Sequence, residues 1–501
     1  MMAGEQAIAL DRFGLGARPS DAVGADQRGW ALAQLPRYQP APPPIAAQPT
    51  RAALVAQFRE YRQEAGAARR DKRQMAQAAS EGAMSEAPDP ATPARPDDPD
   101  PLRDVPQMLR RGLRETYVNA ANARLAAAIQ TDAPFPERLV HFWSNHFAIS
   151  ADKLAVVPLA GNYEFTAIRP HVMGNFSDLL AAAVLHPAML LYLDQAQSVG
   201  PDSPLAQRAG RAAQAANRKP GLNENLGREI MELHTLGVRT GYSQADVTEL
   251  ARALTGWTIA GGMGGGMGGG QRRLQRMVDG APGDAVFAAP LHQPGARTIM
   301  GKRYAEGGGE QARAVLADLA RHPATARHIA TKLARHFIAD TPPPAAVARI
   351  EQAFLASGGD LPTVYRALVA SPEAWSSVQA KFRTPWDWTV AALRATGLER
   401  LPGRQAAAGL LQQLGQPVWR PGSPAGWGDT APDWAGPGAL MTRVEVAQQI
   451  ATRVGDRIDA RALAARVLPG AGDETRQAIA RSESPALGLA LMLSAPEFLR
   501  R

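Results

Sequence analysis

From residue 106 to the end of the chain, apolar side chains return every three or four positions, while the strict alternation of a half-buried strand is nearly absent. That periodicity restricts the chain to helices that each bury one face. It predicts helices over 106–130, 134–149, 175–193, 224–236, 243–256, 310–321, 323–338, 344–357 and 361–370. After Pro385 it predicts further helices over 385–396, 405–414, 438–452, 459–466, 473–481 and 485–493. The expected fold is all-α, a multi-helix orthogonal or bundle-like array with long loops and few or no strands.

Two stretches depart from the pattern. Residues 36–50 and 84–105 are rich in Pro, Ala and Asp and flank a charged, helix-like piece at 51–80, so 36–105 is expected to be a mobile excursion from the core. The run GGMGGGMGGG at 261–270 would lose so much backbone entropy on ordering that it is read as a flexible loop. The chain then divides into an N-terminal motif segment packing on the core (1–35), the excursion (36–105) and a central helical core carrying the polar motifs (106–260). A Gly-rich loop with a turn region (261–304) and a C-terminal helical region (305–501) complete it. YRALVASPEAW (365–375) and GLALMLSAPEFL (488–499) echo one another, each an apolar helix halted at a proline, and are read as one helix-stop solution used twice.

The absence of cysteine excludes disulfides, thiolate zinc sites, iron–sulfur clusters and cysteine nucleophiles. The net charge is +8, yet only six of the 55 basic residues are lysine, and abundant arginine, alanine and proline together are the mark of a GC-rich coding sequence. The arginines are scattered among acids and cluster only at 69–73 and 272–276, beside expected loops, so nucleic acid is not an expected partner. The most apolar stretch, LLAAAVLHPAMLLYL (179–193), is too short for a bilayer and is broken by His186 and Pro187, so no membrane span is expected. The start of the chain has acids at Glu5 and Asp11 and lacks the layout of a signal peptide, which makes a cytoplasmic location the expectation for the chain as given. Phosphate loops, dinucleotide fingerprints and nucleophile elbows are missing in the required strand–turn–helix context.

Polar residues gather in two blocks. In HFWSNHF (141–147), His141 and Asn145 share a helix face, but the five-residue step from His141 to His146 turns the rings about 140° apart on a straight helix. In NENLGREIMELHTLG (223–237), Glu224, Arg228 and Glu232 form an i, i+4, i+8 ladder worth about 0.2–0.5 kcal/mol per pair. Glu229 falls on the neighbouring face with Leu226, Leu233 and Leu236, where a carboxylate must be paired, protonated or bound to a cation. His146 or Asn145 is its expected partner. Asn223 reads as the N-cap of this helix, and His234, just before Gly237, as a charged cap at its C-terminal end. Ser243 with Asp246 reads as a capping box opening the next helix. Asp194 is a further expected partner for the His/Asn cluster, and His292, in a Gly/Pro-rich turn, is expected to be open to solvent or ligand.

DRFGLGARP (11–19), HFWSNHF, HPAMLLYLD (186–194), NENLGREIMELHTLGV (223–238), YSQADVTELARALTGWT (242–258), LHQPGARTIMGKRY (291–304), KLARHF (332–337) and SPAGW (423–427) together resemble the DUF1800 family. The resemblance places Trp143, Asn145, His146, Asn223, Glu224, Asn225, Arg228, Glu229, Glu232 and His234 in the characteristic blocks. It also implies a DUF1501-type protein of phosphatase- or sulfatase-like fold as a partner, and through it a periplasmic location by co-export.

Two functional readings follow. In the first, the central core holds an acid–base site on His146 and Glu229, or a divalent metal on His141, His146, Glu224, Glu229 and Glu232. Asn145, Asp194, Asn223, Asn225, Arg228, His234 and His292 would support it. In the second, the chain is a non-catalytic scaffold or assembly and export partner, and the polar blocks form a buried network that fixes the helices.

Overall fold

The computed structural model describes residues 2–83, 101–213, 221–261, 263, 278–399 and 406–501. Helices make up 62% and strands 4% of the molecule, so the all-α expectation holds. The strands form two small antiparallel pairs. Trp257–Ile259 runs against Ala285–Phe287 with Trp257 opposite Phe287, and Arg297–Ile299 against Lys302–Tyr304 with Thr298 opposite Arg303. Most of the expected Gly-rich loop, the 272–276 arginine cluster and much of the Pro-rich 84–105 stretch lie outside the described residues.

Much of the high proline content is spent on helix starts. Proline stands in the first turn of Pro134–His146, Pro323–Phe337, Pro344–Ala356, Pro385–Thr396, Pro437–Val454 and Pro485–Ser494. There its missing N–H has no intrahelical partner to lose and its fixed φ suits the helix.

The 36–50 segment, expected to be mobile, is anchored instead. The Tyr38 hydroxyl donates to the Arg169 carbonyl at 3.0 Å, Arg169 Nε donates to the Pro40 carbonyl at 2.8 Å, and Ile45 is buried. Leu54, Val55, Phe58 and Tyr61 then carry the start of the Arg51–Ala83 helix into the core, where it packs along Pro101–Gln130. The same apolar burial that orders any helix face outweighs the polar composition here.

Most of the described interior falls in two hydrophobic clusters, with a third, minor one around Val199, Ala288 and Leu291. The larger draws on residues 8 to 419 and includes Pro323–Phe337 stacked on Pro344–Ala356, itself packed on Leu361–Ala370. The smaller joins Pro437–Val454 to Pro485–Ser494. Pro385–Thr396, buried at every residue, belongs to both: Trp386, Val390 and Leu393 face the larger cluster, Trp388, Ala391, Ala392 and Ala395 the smaller. The echoed stops serve one cluster each, burying Trp375 in the larger and Phe498 in the smaller.

The N-terminal motif is wedged between these helices. Phe13 is fully buried against Phe135, Phe337 and Trp375. Gly16 stands at φ +89°, and a Cβ there would come within 2.7 Å of the Ala391 Cβ, so only glycine lets the segment lie against Pro385–Thr396. Among the described residues no helix is long and apolar enough to cross a membrane.

Candidate active site

Pro134–His146 is buried at every position except Asn145, so its polar side chains must find partners inside the protein. Glu137 accepts both arms of the Arg169 guanidinium, at 2.8 and 2.7 Å. Burial alone would raise its pKa, but Arg169, helped by His141, holds it well below the ordinary carboxylate range. His141 sits between Trp386, whose indole N–H donates to Nδ1 at 3.0 Å, and the Glu137 carboxylate, 3.5 Å from Nε2. With one nitrogen accepting and the other facing a carboxylate, the ring is a neutral Nε2–H imidazole with no lone pair left for a metal. Burial keeps its pKa low.

His146 turns its Nε2 to the His234 carbonyl at 3.1 Å, leaving Nδ1 buried without a partner among aromatic rings. Burial, then Lys332, His328 and His234, push its pKa well down. Asn145 is engaged elsewhere. Its Nδ2 donates to the Trp427 carbonyl at 2.9 Å and its Oδ1 accepts from the Trp427 amide at 2.7 Å. The SPAGW segment is thereby latched onto the helix. Gly426, at φ +83°, is required for the approach, because a Cβ there would lie 2.4 Å from the Asn145 carbonyl oxygen.

Of the block at 223–237, His234 meets this group, while the Glu224–Arg228–Glu232 ladder is engaged elsewhere. Glu224 accepts from Gln244 and Thr248, each at 2.7 Å, while Arg228 lies 3.5 Å from Glu224 and 3.4 Å from Glu232. These side chains are a quarter to two-fifths exposed, the ladder anticipated from spacing. Asn225 opens the helix Asn225–Glu229, and its amide donates to Asn223 Oδ1 at 2.9 Å, so Asn223 caps from one position before the boundary residue Glu224. Glu229 is half-buried, and burial followed by repulsion from Glu232 raises its pKa. Of its expected partners, Asn145 is committed to Trp427, and His146 turns Nε2 to the His234 carbonyl. The chain continues as a π-turn over Ile230–His234, which carries His234 into the core.

His234 is therefore no charged cap: it is fully buried with neither ring nitrogen paired, and burial followed by Lys332 and His328 lowers its pKa to about 3. His292 is likewise buried, its Nδ1 bonded to the Thr255 carbonyl at 2.8 Å, and not open to solvent as expected. Asp194 is taken by Lys153 and by Gln197 at 2.8 Å. Among the described residues no group of three or more His, Asp or Glu side chains is placed to hold a metal ion. The proposed set His141, His146, Glu224, Glu229 and Glu232 is not brought together.

What the structure does assemble is a cleft of about 460 Å³ between Pro134–His146, Pro323–Phe337, the start of Pro385–Thr396 and the 416–433 loop. His141 and His146 line it. So do Lys332, His336 and Asp429, which spacing arguments did not single out. His336 Nδ1 lies 2.8 Å from Asp429 Oδ2. An ionised carboxylate only accepts, so the neutral ring carries its proton on Nδ1 and leaves the Nε2 lone pair free, buried and unpartnered.

Asp429 is fixed from behind. Lys381 approaches its Oδ1 at 3.5 Å and donates to its carbonyl, and Asp340 binds Lys381 at 2.6 Å and the Ala431 amide at 2.7 Å. A capping box between Thr430 and Asp433 sets the turn that follows. Burial would raise the Asp429 pKa, but His336, Lys381 and Arg501 hold it well below the ordinary range. Burial lowers the His336 pKa, against the pull of Asp429, which keeps the imidazole neutral near pH 7. A histidine oriented by an aspartate, standing in the wall of a cleft with its second nitrogen unpartnered, carries a lone pair that can take up and return a proton.

The only local sign of this site in the sequence is a stripe on Pro323–Phe337, where His328, Lys332 and His336 recur every fourth residue. Asp429 stands 93 residues away from His336 and carries no such signal.

The family model described as "Protein of unknown function (DUF1800)" matches residues 8–500. No curated protein and no solved structure matches the chain. The chain belongs to the DUF1800 family over nearly its whole length.

Proposed function

We propose that the cleft is an acid–base site in which His336, held by Asp429, withdraws a proton from a bound water or substrate group and later returns it. One observation carries this reading: the His336 Nε2 lone pair is unpartnered in the wall of the cleft while Nδ1 is tied to Asp429 at 2.8 Å. The aspartate fixes the tautomer and stabilises the imidazolium that forms on proton uptake. The hydroxyl of Ser144, also in the cleft wall, is committed to Glu164 at 2.7 Å, so the nucleophile in this reading comes from the ligand, from water or from another side chain. The test is a panel of generic esters, phosphoesters and carbonyl compounds offered to the wild type, to H336N and to D429N. Turnover by the wild type is expected to fall by about 10²–10⁴ in H336N. Turnover that survives that substitution unchanged would sink the reading.

A second reading, that the chain is a scaffold or export partner of a DUF1501-type protein, draws on the depth of the buried ion pairs, which fix helices without needing a substrate. Besides Glu137 with Arg169, Glu164 accepts from Arg124 at 2.8 Å and from Trp419 at 2.9 Å. Co-purification of the two chains, unaffected by H336N, is the result this reading requires.

A further inference from the structure

We propose that Lys332 is an amine nucleophile that forms an imine with an aldehyde or ketone bearing an anionic group, bound in the same cleft. The proposal rests on the acid–base reading of that cleft and names its substrate class. Lys332 and His336 both line the cavity and stand four residues apart on one helix face, with Cβ atoms about 5–6 Å apart. The contrast with Lys381 is informative. Lys381, fully buried in the adjoining network, is paired with Asp340 and Asp429. Lys332 is half-buried, and among the described residues its ammonium has no hydrogen bond or ion pair.

Burial favours the free amine of Lys332, against the net pull of the charges around it. Asp429, already shared by His336 and Lys381, attracts its proton, while Arg335 on the next turn opposes it, and His146, His234 and His328 on the far side are neutral. Burial is the largest influence, and the net effect brings the Lys332 pKa down to about 8, leaving about a tenth as free amine at pH 7. Desolvation beside another cation is a known way to make a lysine nucleophilic. Arg335 also lines the cleft and gives an anionic group on the substrate a guanidinium to meet.

The step balances without an oxidant or reductant. The Lys332 nitrogen attacks the carbonyl carbon, and the π-electron pair moves onto the oxygen. His336 Nε2 takes the surplus proton from nitrogen and passes it to that oxygen, giving a carbinolamine; it then relays the remaining N–H proton to the hydroxyl, which leaves as water as the nitrogen lone pair forms the C=N bond.

The chain has six lysines, so five serve as internal controls. The full chain is incubated with glyoxylate, reduced with borohydride and mapped by peptide mass spectrometry, with acetaldehyde as the arm lacking a carboxylate. Lys332 is expected to carry the carboxymethyl adduct at least about tenfold above each other lysine at pH 7, because its amine fraction is so much larger. It is also expected to prefer glyoxylate to acetaldehyde. Labelling spread over the lysines by exposure, or absent from Lys332, overturns the proposal. The two readings fail separately: adduct on Lys332 equal in wild type and H336N retains the amine and removes the base, whereas His336-dependent turnover with Lys332 unlabelled removes the amine and retains the base.

Discussion

Glu137 accepts two charge-assisted bonds from a guanidinium that is itself fully buried, so neutralising the carboxylate strands Arg169 in the core. Breaking such a pair from one side typically costs about 3–5 kcal/mol, far more than the pair is worth against an apolar substitute. Glu137→Gln is expected to lower the unfolding free energy by that amount, read as a lower urea midpoint at unchanged slope, and a loss under about 1 kcal/mol would show that Arg169 finds another acceptor. The physical rule that a buried carboxylate needs a partner was legible in the sequence, but its address was not. It pointed to Glu229, which the fold leaves half-buried, whereas the deeply buried carboxylates include Glu137, Glu164 and Asp387. Their partners lie 32, 40 and 249 residues away, beyond what spacing along one helix can reveal.

Helix boundaries and caps were largely readable, because they are set by neighbours in sequence: the Ser243–Asp246 capping box forms as the spacing predicts. The end of the 224–236 helix was not, since the π-turn at Ile230–His234 changes which residues face inward and puts His234, expected as a charged cap, into the core. The Glu224–Arg228–Glu232 ladder keeps its expected geometry, and its energetic role is small because Arg228 is 39% exposed and solvent screens it. Arg228→Ala is expected to change stability by no more than about 1 kcal/mol, as read from thermal or urea unfolding. A loss above about 3 kcal/mol would mean that these residues act as a buried network instead.

Across the whole molecule, fold class was the most legible property, because helical periodicity is repeated in so many segments. The division of the interior was not, because it depends on Pro385–Thr396 being shared by two clusters. The buried histidines give the molecule a collective acid sensitivity. The pKa values of His186, His234 and His328 are lowered, chiefly by burial, to about 3, 3 and 4. The unfolded chain binds these protons near pH 6.5 and the folded one does not until much lower pH, so stability is full above 6.5 and falls as pH drops below it. Each can cost up to about 1.4 kcal/mol per pH unit, on the order of 3 kcal/mol together by pH 5.5. The depressed carboxylates Glu137, Asp387 and Asp429 add their loss only below the ordinary carboxylate range. Urea midpoints that stay flat from pH 8 to pH 5 would contradict the histidine account.

The wedge made by the first residues carries a consequence for how the molecule is made. Arg12 donates to the Ala374 carbonyl 362 residues on, Asp11 accepts from Arg383 372 residues on, and the Gly16 carbonyl accepts from Arg394 378 residues on. At roughly 5–20 residues per second of synthesis, this segment leaves the ribosome roughly 20–75 s before the groups that receive it. Residues 11–16 are thus made long before the groups that fix them, and a nascent chain halted before Ala374 carries two charged side chains, Asp11 and Arg12, still waiting for their binding place.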